Sequence, residues 1–294
     1  MFTNAIAIAA RFTRPVHTIA RNYGSPMIQP GAATLFFVNS EGWALTCRHV
    51  ANLLSTGEVL AQKSTNFKKE LSARKGFEKE RKVVKELEAK YLYNKNSTFE
   101  ILNRFIDCVE GNLKFRVLVH PKYDVALIKF SDYTKLLCDS FPTFPADASG
   151  LQQGKYLCRL GFPFPEFTNF AYDDNLDKIA WTSSGRIGTP RFPIEGMVTR
   201  HLVDEKDVIF AFEMSTPGLK GQSGGPAFDT QGRVWGMQFA TNHLDLDFDI
   251  NQEVLRQGKK KQVTDSAFLH VGYCIHADIL KSFMKENGLN FSEG

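Results

Sequence analysis

The 294-residue chain lacks the cysteine patterns of a disulfide-bonded or zinc-binding protein. Its cysteines are odd in number, and no two of them stand in C-x-x-C spacing. Neither a disulfide framework nor a zinc site is therefore expected, and we expect no metal and no cofactor. Reduced thiols are typical of a cytoplasmic protein. The five cysteines are Cys47, Cys108, Cys138, Cys158 and Cys274.

The chain also lacks long apolar runs and a strong charge of one sign. No apolar run approaches the roughly 18 residues that a membrane span needs, so no membrane association is expected. The net charge of +4 is too small to indicate a nucleic-acid partner. Lysine and arginine are concentrated within residues 61–95, but glutamates alternate with them there. This mixture argues against the alternative of a nucleic-acid-binding module, which would need a consistently basic face.

Short runs of Val, Ile, Phe and Thr, separated by Gly, Pro, Asn and Asp, make up most of the chain. This pattern is typical of β-strands, and two pairs of runs predict hairpins that turn at residues 39–42 and 229–232. The alternation over residues 11–19 predicts a first β-strand. A targeting leader would show the same lack of acidic residues, but no basic residue precedes its apolar core. The fold class predicted from these runs is all-β, with antiparallel barrels or sandwiches.

One segment departs from the β pattern. Residues 67–91 are dense in Lys and Glu, with opposite charges recurring four residues apart, which favours a helix. Ser97 and Glu100 then form a capping-box pattern before an apolar series that ends at Val109, which predicts a second helix. We therefore expect a helical hairpin inserted at about residues 61–110. Its basic face is either a solvated surface or the docking site of a regulatory protein partner.

A stretch rich in Pro, Gly, Ser and Ala, residues 139–154, marks the best domain boundary. It divides the chain into an N-terminal domain of residues 1–140 and a C-terminal domain of residues 141–294. A closing helix is predicted in the second domain, with Asp278 as its N-cap and Gly288 just beyond its end.

The sequence PGLKGQSGGPAFD, residues 217–229, surrounds Ser223 with four glycines and then places Pro226 after them. Glycine loses more backbone freedom on folding than any other residue, so such a cluster needs a reason. A solvated Gly-Ser turn is one alternative. A tight loop that presents its backbone amides to a ligand is the other.

A serine hydroxyl becomes a nucleophile only beside a base, and the base needs a partner that fixes its tautomer. The segment GWALTCRHVANLL places His49 at the end of an apolar strand, where a helical turn begins. The segment HPKYDVALIKF places Asp124 just before a buried strand. Each fragment alone is a weak signal, because a lone His at a strand end is usually structural and an Asp there usually forms a turn.

Together, G-W-A-L-T-x-x-H, D-V-A-L-I-K and G-Q-S-G-G-P, in that order, resemble trypsin-like (chymotrypsin-fold) serine peptidases. The chain looks most like the bacterial branch of Deg or high-temperature-requirement proteases, over roughly residues 30–55, 117–130 and 205–285. The resemblance implies two antiparallel six-stranded β-barrels with an active site in the cleft between them.

The resemblance also implies the site residues. Ser223 would be the nucleophile, His49 the general base and Asp124 the residue that orients it. The backbone amides of Gly221 and Ser223 would form the oxyanion hole. The strand WGMQFAT would pair with the peptide substrate at residues 239–241, by addition to a sheet edge. These three residues are Phe239, Ala240 and Thr241.

The chain differs from digestive trypsin-like enzymes in several ways. Gln222 replaces the aspartate that precedes their serine, so activation by N-terminal clipping is not expected. Pro217 occupies the position of trypsin's pocket acid, which leaves a small or apolar P1 side chain as the default. The chain ends soon after its last helix, so no PDZ domain is expected. Residues 242–261 either border the substrate pocket or, as is more usual for such a run, form a mobile solvated loop. Cys47 is interpreted as a small buried hydrophobe and not as a redox switch.

Two functions therefore stand side by side. The first is an intracellular serine endopeptidase that acts on protein or peptide substrates and is controlled by a partner. The second is a catalytically silent binding or scaffold protein of the same fold, although a complete His, Asp and Ser set argues against it.

Overall fold

The computed structural model describes residues 1–74, 76, 79–256 and 258–294. The predicted fold class is confirmed, because these residues form a mostly β protein built on two six-stranded antiparallel sheets. No helix in this described part of the chain has the length and apolar character needed to cross a membrane.

The first sheet is a half-barrel made of the first six strands. They are β1 (Thr13–Asn22), β2 (Ile28–Phe37), β3 (Trp43–Thr46), β4 (Thr98–Phe105), β5 (Val109–Val119) and β6 (Ala126–Leu136). Their order across the sheet is β4-β1-β2-β3-β6-β5, with every neighbouring pair antiparallel. Thr46 at the end of β3 pairs with Ala126 at the start of β6. The residues that follow Thr46 and the residues that precede Ala126 therefore lie together at one end of these two strands.

The remaining β structure consists of a closed barrel and two separate two-stranded sheets. The strands after β6, in chain order, are β7 (Thr143–Phe144), β8 (Tyr156–Gly161), β9 (Phe170–Asp173), β10 (Lys178–Trp181), β11 (Phe192–Val203), β12 (Ile209–Met214), β13 (Pro226–Phe228), β14 (Val234–Arg256), β15 (Lys259–His276) and β16 (Ser292–Glu293). The barrel order is β11-β12-β15-β14-β13-β8. Strands β9 and β10 form a separate hairpin, and β7 pairs in parallel with β16.

The described residues contain four α-helices, two of them in the expected insertion. They are α1 (Thr3–Phe12), α2 (Arg48–Arg74), α3 (Glu80–Tyr91) and α4 (Ala277–Glu286). A helical hairpin is present, but its two helices are not the predicted ones, because α2 begins well before residue 61 and ends at Arg74, and α3 begins at Glu80, inside the predicted first helix. Of the helix predicted over residues 67–91, residues 75, 77 and 78 lie outside the described part.

The second predicted helix of the insertion, which begins at Ser97, is wrong. Residues from Thr98 onward form β4, which pairs with β1 with Ile19 opposite Leu102. Glu100 forms an ion pair with the buried Arg21 of β1, with 2.5 Å between Arg21 Nε and Glu100 Oε2. This ion pair explains why these residues form a strand and not a helix. A carboxylate that neutralises a buried guanidinium gains more there than it would gain as a capping residue on an exposed helix end.

The N-terminal strand prediction over residues 11–19 is only partly right. Residues up to Phe12 belong to α1, and β1 begins at Thr13. Ala5, Ala9 and Phe12 lie on one face of α1 and are fully buried. This apolar stripe has helical spacing, and α1 packs on β8 and β13 of the barrel.

The interpretation of residues 242–261 as a solvated loop is also wrong. The residues of this stretch that the structure describes belong to a long β-hairpin formed by β14 and β15, whose pairing continues to Arg256 opposite Lys259. Residue 257 lies outside the described part. The hairpin exposes apolar side chains such as Phe248 and Leu255.

The closing helix α4 is present with a different N-cap. His276, not Asp278, caps it, because the His276 ring Nδ1 accepts a hydrogen bond from the Asp278 backbone N–H. Gly288 follows the helix with a φ of +69°, as expected for a residue just beyond a helix end.

Candidate active site

His49 and Asp124 meet at the edge of the half-barrel where β3 ends and β6 begins. His49 lies in the first turn of α2, and Asp124 lies two residues before β6. The His49 ring Nδ1 is 2.7 Å from Asp124 Oδ2, and the His49 backbone N–H donates to Asp124 Oδ1 at 2.9 Å. Asp124 therefore holds both the ring and the backbone of His49, which leaves the ring Nε2 free to face a substrate or nucleophile.

The surroundings of Asp124 favour its charged form. Burial raises the pKa of the Asp124 carboxyl, but the hydrogen bonds from the His49 side chain and backbone outweigh burial and lower it. The imidazole is half exposed and the carboxylate is mostly buried, with exposed side-chain fractions of 51% and 21%. The ring is therefore accessible while its partner is shielded, as proton transfer to and from the ring requires.

Sequence reasoning missed Arg48 as a support of this pair. Its Nη1 donates to the carbonyls of His120 and Pro121 at 3.2 and 3.3 Å, within the turn that leads to Asp124. Arg48 thus links the first turn of α2 to the segment that carries the carboxylate. Its position beside the motif histidine was the only available signal, and that signal does not distinguish it from a surface arginine.

The loop that carries Ser223 is held on β2 of the other sheet. The Thr34 N–H donates to the Ser223 carbonyl at 3.0 Å, and the Thr34 hydroxyl donates to the Gly221 carbonyl at 2.8 Å. The adjacent Gly224 has a φ of +87°, and a Cβ there would lie 2.0 Å from the Thr34 carbonyl oxygen. Only glycine fits so close to β2, which explains one of the glycines around the serine.

The serine loop and the turn that carries His49 meet at one backbone carbonyl. The carbonyl of Gln238 accepts from the Gly224 N–H at 2.8 Å and from the Cys47 thiol at 3.3 Å. Gly224 is adjacent to Ser223 in sequence, and Cys47 precedes His49 by two residues. The structure therefore brings the predicted serine and histidine segments, from different sheets, to the same backbone carbonyl.

Within residues 221–225, two backbone amides have no partner in the part of the chain that the structure describes. The amides of Gln222, Gly224 and Gly225 donate to backbone carbonyls at 2.8–2.9 Å. Those of Gly221 and Ser223 donate to no described group. Gly221 has a φ of +102°, a left-handed conformation that favours glycine. These are the two amides that the sequence analysis assigned to an oxyanion hole.

Gln222, which replaces the aspartate of the digestive enzymes, holds the serine loop in place from its buried side. It is fully buried, its Nε2 donates to the Phe192 carbonyl at 3.1 Å, and its Oε1 accepts from the Leu219 N–H at 3.0 Å. The side chain thus fixes the loop just before Ser223 with neutral hydrogen bonds and without an ion pair.

Phe239, Ala240 and Thr241 lie on β14 beside the serine loop. On one side, Ala240 and Thr241 pair with Tyr273 and Gly272 of β15. On the other side, the pairing of β13 with β14 ends at Met237. Gln238 still exchanges backbone hydrogen bonds with Gly224 and Gly225 at 2.8 Å, so this edge of β14 is open to strand pairing from Phe239 onward.

One group of side chains near the site has the spacing of metal ligands. The ligand atoms of Cys47, His49 and Asp124 lie within 4.8 Å of one another, the one such group found among the described residues. Cys47 is fully buried, however, and burial together with the Asp124 charge raises the pKa of its thiol well above the usual range. A protonated thiol is a poor ligand, so the buried-hydrophobe interpretation of Cys47 fits this environment.

Comparison with known proteins identifies the family of the chain. A family model described as a trypsin-like peptidase domain matches residues 33–237, more than two thirds of the chain. The chain therefore belongs to the trypsin-like peptidase domain family, and the resemblance drawn from the three motifs is confirmed. No curated protein sequence matches the chain.

Among solved structures, the chain is similar to HtrA-type protease AlgW with a tripeptide, at 13% identity and a TM-score of 0.48. That match covers 97% of this chain and 62% of the other. It is similar also to HtrA-type protease AlgWS227A with a decapeptide, at 13% identity and a TM-score of 0.49, covering 98% of this chain and 68% of the other. The chain thus spans about three fifths of the first of these proteins.

Proposed function

We propose that the chain is a serine endopeptidase that hydrolyses peptide bonds of protein substrates through an acyl-enzyme. The observation that carries this proposal is the 2.7 Å contact between His49 Nδ1 and Asp124 Oδ2. It supplies an oriented imidazole at the cleft where the Ser223 loop is seated, and an imidazole of this kind is what a serine hydroxyl needs to become a nucleophile.

In the proposed reaction, Ser223 Oγ attacks the carbonyl carbon of the scissile bond while its proton passes to His49 Nε2. Asp124 stabilises the imidazolium through Nδ1–H. His49 then gives the proton to the leaving amine, the C–N bond breaks, and an acyl-Ser223 ester remains. Water, deprotonated by the same imidazole, hydrolyses this ester and releases the acid product.

The unpartnered amides of Gly221 and Ser223 support an oxyanion role in both steps. Negative charge develops on the carbonyl oxygen in each tetrahedral intermediate, and preorganised N–H donors stabilise it. Substrate backbone pairing with residues 239–241 is supported by the edge of β14 beyond Gln238, which pairs with no strand on that side. Main-chain pairing of this kind binds peptides with little regard to sequence.

Labelling with a fluorophosphonate probe tests the proposal. We expect modification of the purified full-length protein at Ser223, mapped by mass spectrometry, and loss of labelling in Ser223→Ala and His49→Ala. Asp124→Asn should lower kcat roughly 10⁴-fold while labelling stays detectable on long exposure. Equal labelling of wild type and His49→Ala, or no labelling with or without cell lysate, would favour the catalytically silent scaffold.

We propose further that the protein is intracellular and that a protein partner regulates it through the α2–α3 hairpin. All five cysteines are free and buried, which supports a reducing compartment. Lys68 of α2 forms an ion pair at 3.3 Å with Asp177, which lies in the turn of the β9–β10 hairpin. The chain segment that leads to this hairpin begins at Phe162, whose carbonyl lies next to Gly221 of the serine loop. The α2–α3 hairpin is therefore linked to the serine loop through β9 and β10. Lys68→Ala should therefore change the rate of Ser223 labelling, and an unchanged rate would remove this route. Disulfides in protein purified from its native cell would contradict the intracellular setting.

A further inference from the structure

Arg159 of β8 is a fully buried cation that contacts the segment leading to the Ser223 loop. Its Nη1 donates to Gln238 Oε1 at 2.6 Å. Its Nη2 donates to the carbonyl and hydroxyl oxygens of Thr216 at 3.0 and 2.6 Å, and to the Pro217 carbonyl at 3.0 Å. Every one of these acceptors is neutral, so the positive charge is hydrogen-bonded but not balanced.

No carboxylate among the described residues forms an ion pair with Arg159. The other fully buried arginine, Arg21, pairs with both Glu100 and Asp177. Arg159 Nε is also buried without a partner. A buried positive charge without a counter-ion is energetically unfavourable, and an anion that reached Arg159 would neutralise it.

The position of the guanidinium identifies what can reach it. Pro217 lies six residues before Ser223, where the trypsin-like pattern has the base of the pocket for the P1 side chain. Gly272 of β15 forms another wall, because a Cβ there would lie 1.9 Å from Arg159 Nη1. Gln238 and Thr241 of β14 form the wall facing Gly218. The cation thus lies at the bottom of the space that the P1 side chain of a bound peptide would enter.

This space is closed by hydrogen bonds that an incoming side chain can replace. The Thr241 hydroxyl donates to the Gly218 carbonyl at 2.6 Å, which joins the two walls. The Gln238 side chain is buried between them and donates to the Ala240 carbonyl at 2.6 Å. Arg159 Nη1 is bonded by the amide oxygen of Gln238, and a carboxylate is a stronger acceptor than an amide.

We propose that Arg159 is a specificity-determining residue that selects substrates with Asp or Glu at P1. This proposal rests on the peptidase function proposed above. The P1 carboxylate replaces the Gln238 amide oxygen on Nη1 and supplies the missing counter-ion. A neutral P1 side chain of the same shape breaks the same hydrogen bonds on entering but does not neutralise the charge of Arg159. Its transition state is therefore bound less tightly.

Substrate profiling tests the proposal directly. A proteome-derived peptide library is digested by wild type and by Ser223→Ala, and the P1 residue is identified at each new C-terminus by mass spectrometry. Matched synthetic peptides that differ only at P1, Glu against Gln and Asp against Asn, then give kcat/KM ratios. We expect Asp and Glu to dominate P1, and each acid to exceed its amide by roughly 10- to 100-fold.

An isosteric variant isolates the charge. Gln238→Glu places a carboxylate on Arg159 Nη1 from within the protein, so the Glu-to-Gln ratio should fall to about one, although the hydrogen bond from the Gln238 amide to the Ala240 carbonyl is lost. Arg159→Gln should remove the same preference. Arg116→Gln is the matched control, since it removes one positive charge from β5 of the other sheet, where the guanidinium lies over Trp43 at 5.3 Å. It should keep the wild-type ratio.

The outcomes separate the two proposals. Labelling at Ser223 together with P1 preference for Ala, Phe or Lys, or equal cleavage of Glu and Gln peptides, overturns the role of Arg159 and leaves the peptidase function standing. A Gln238→Glu protein that folds and keeps the acid preference also overturns it. Absence of Ser223 labelling and of any cleavage overturns both.

Discussion

Gly221 shows at the scale of one residue how backbone shape supports the proposed chemistry. At its φ of +102°, a Cβ would lie 2.6 Å from the Phe162 carbonyl oxygen and 2.8 Å from Pro163 Cα. We expect Gly221→Ala to turn its amide away from the oxyanion and to lower kcat by about 10²-fold or more. Gly188→Ala is the control, because no atom lies within 4 Å of a Cβ there. Similar kcat values for the two variants would argue against the oxyanion role of Gly221.

His17 is a buried histidine away from the site, and its titration predicts how stability changes with pH. It lies on β1 with its Nε2 2.7 Å from the Thr189 hydroxyl and its ring stacked on Phe167. Burial, helped by the charge of Arg104, lowers the pKa of His17 to about 4. In the unfolded chain its pKa is about 6.5, so between these values the unfolded state binds the extra proton.

His17 lowers the stability of the folded protein at acidic pH, because the unfolded state binds the proton more tightly than the folded state. Stability is unaffected by His17 above pH 6.5 and falls as the pH is lowered from 6.5 towards 4. Between pH 7 and pH 5 we expect a loss of about 2 kcal/mol in the free energy of unfolding from this residue. Urea unfolding at both pH values measures it. The His17→Gln protein should lose less over the same interval, and an equal loss in both proteins would contradict the assignment.

At the scale of secondary-structure elements, Arg21 joins β1, β4 and the β9–β10 hairpin. Its side chain is 1% exposed, and it pairs with Glu100 at 2.5 Å and with Asp177 at 2.9 Å. Arg21→Met leaves the mostly buried Glu100 carboxylate without its partner. We expect a loss of about 3 kcal/mol or more in the free energy of unfolding, measured by urea denaturation.

Arg11 provides the comparison for this element-scale prediction. It pairs with Asp139 at 3.2 Å, but both side chains are largely exposed. Arg11→Met should therefore change stability little, because solvent screens the pair. Equal losses in the Arg21 and Arg11 variants would mean that burial of the Arg21 network contributes nothing.

The same elements show how far sequence reasoning reaches. The strands, the hairpins at residues 39–42 and 229–232, and the motifs around His49, Asp124 and Ser223 could be predicted, because their signals are local. The strand β4 could not, since a capping-box pattern at Ser97 also fits a helix, and only the distant Arg21 decides between the two. The site role of Arg159 was missed for the same reason. A single charge inside the apolar run KYLCRLGF was a usable signal, but its destination depends on three other segments.

At the scale of the whole molecule, helix α1 and strand β2 both join the half-barrel to the closed barrel. Helix α1 precedes the first strand of the half-barrel yet packs on the barrel, where the Phe2 ring contacts Phe228 edge to face at 6.5 Å. The division into domains of residues 1–140 and 141–294 stays a prediction, and α1 crosses it in space. Residues of the half-barrel domain contact the closed barrel and the serine loop. We therefore expect the geometry of the site to depend on the residues where the two sheets meet.

Thr34 of β2 is the clearest case of such a residue. It is fully buried in the half-barrel, yet its hydroxyl donates to the Gly221 carbonyl at 2.8 Å and accepts from the Phe162 N–H at 3.3 Å. Thr34→Val has nearly the same shape but leaves both groups unpaired. We expect it to lose about 2 kcal/mol of stability and to lower kcat about tenfold, as the Gly221 peptide loses its anchor.

Thr34→Ser separates the hydroxyl from the methyl group in this last prediction. It keeps both hydrogen bonds and loses one methyl group, which costs about 1 kcal/mol of stability. Its kcat should stay within about twofold of wild type, because the Gly221 carbonyl is still held. Steady-state kinetics and urea unfolding of the two variants, measured side by side, decide the matter. If kcat falls equally in both, packing at Thr34 and not its bond to the serine loop couples the half-barrel to the site.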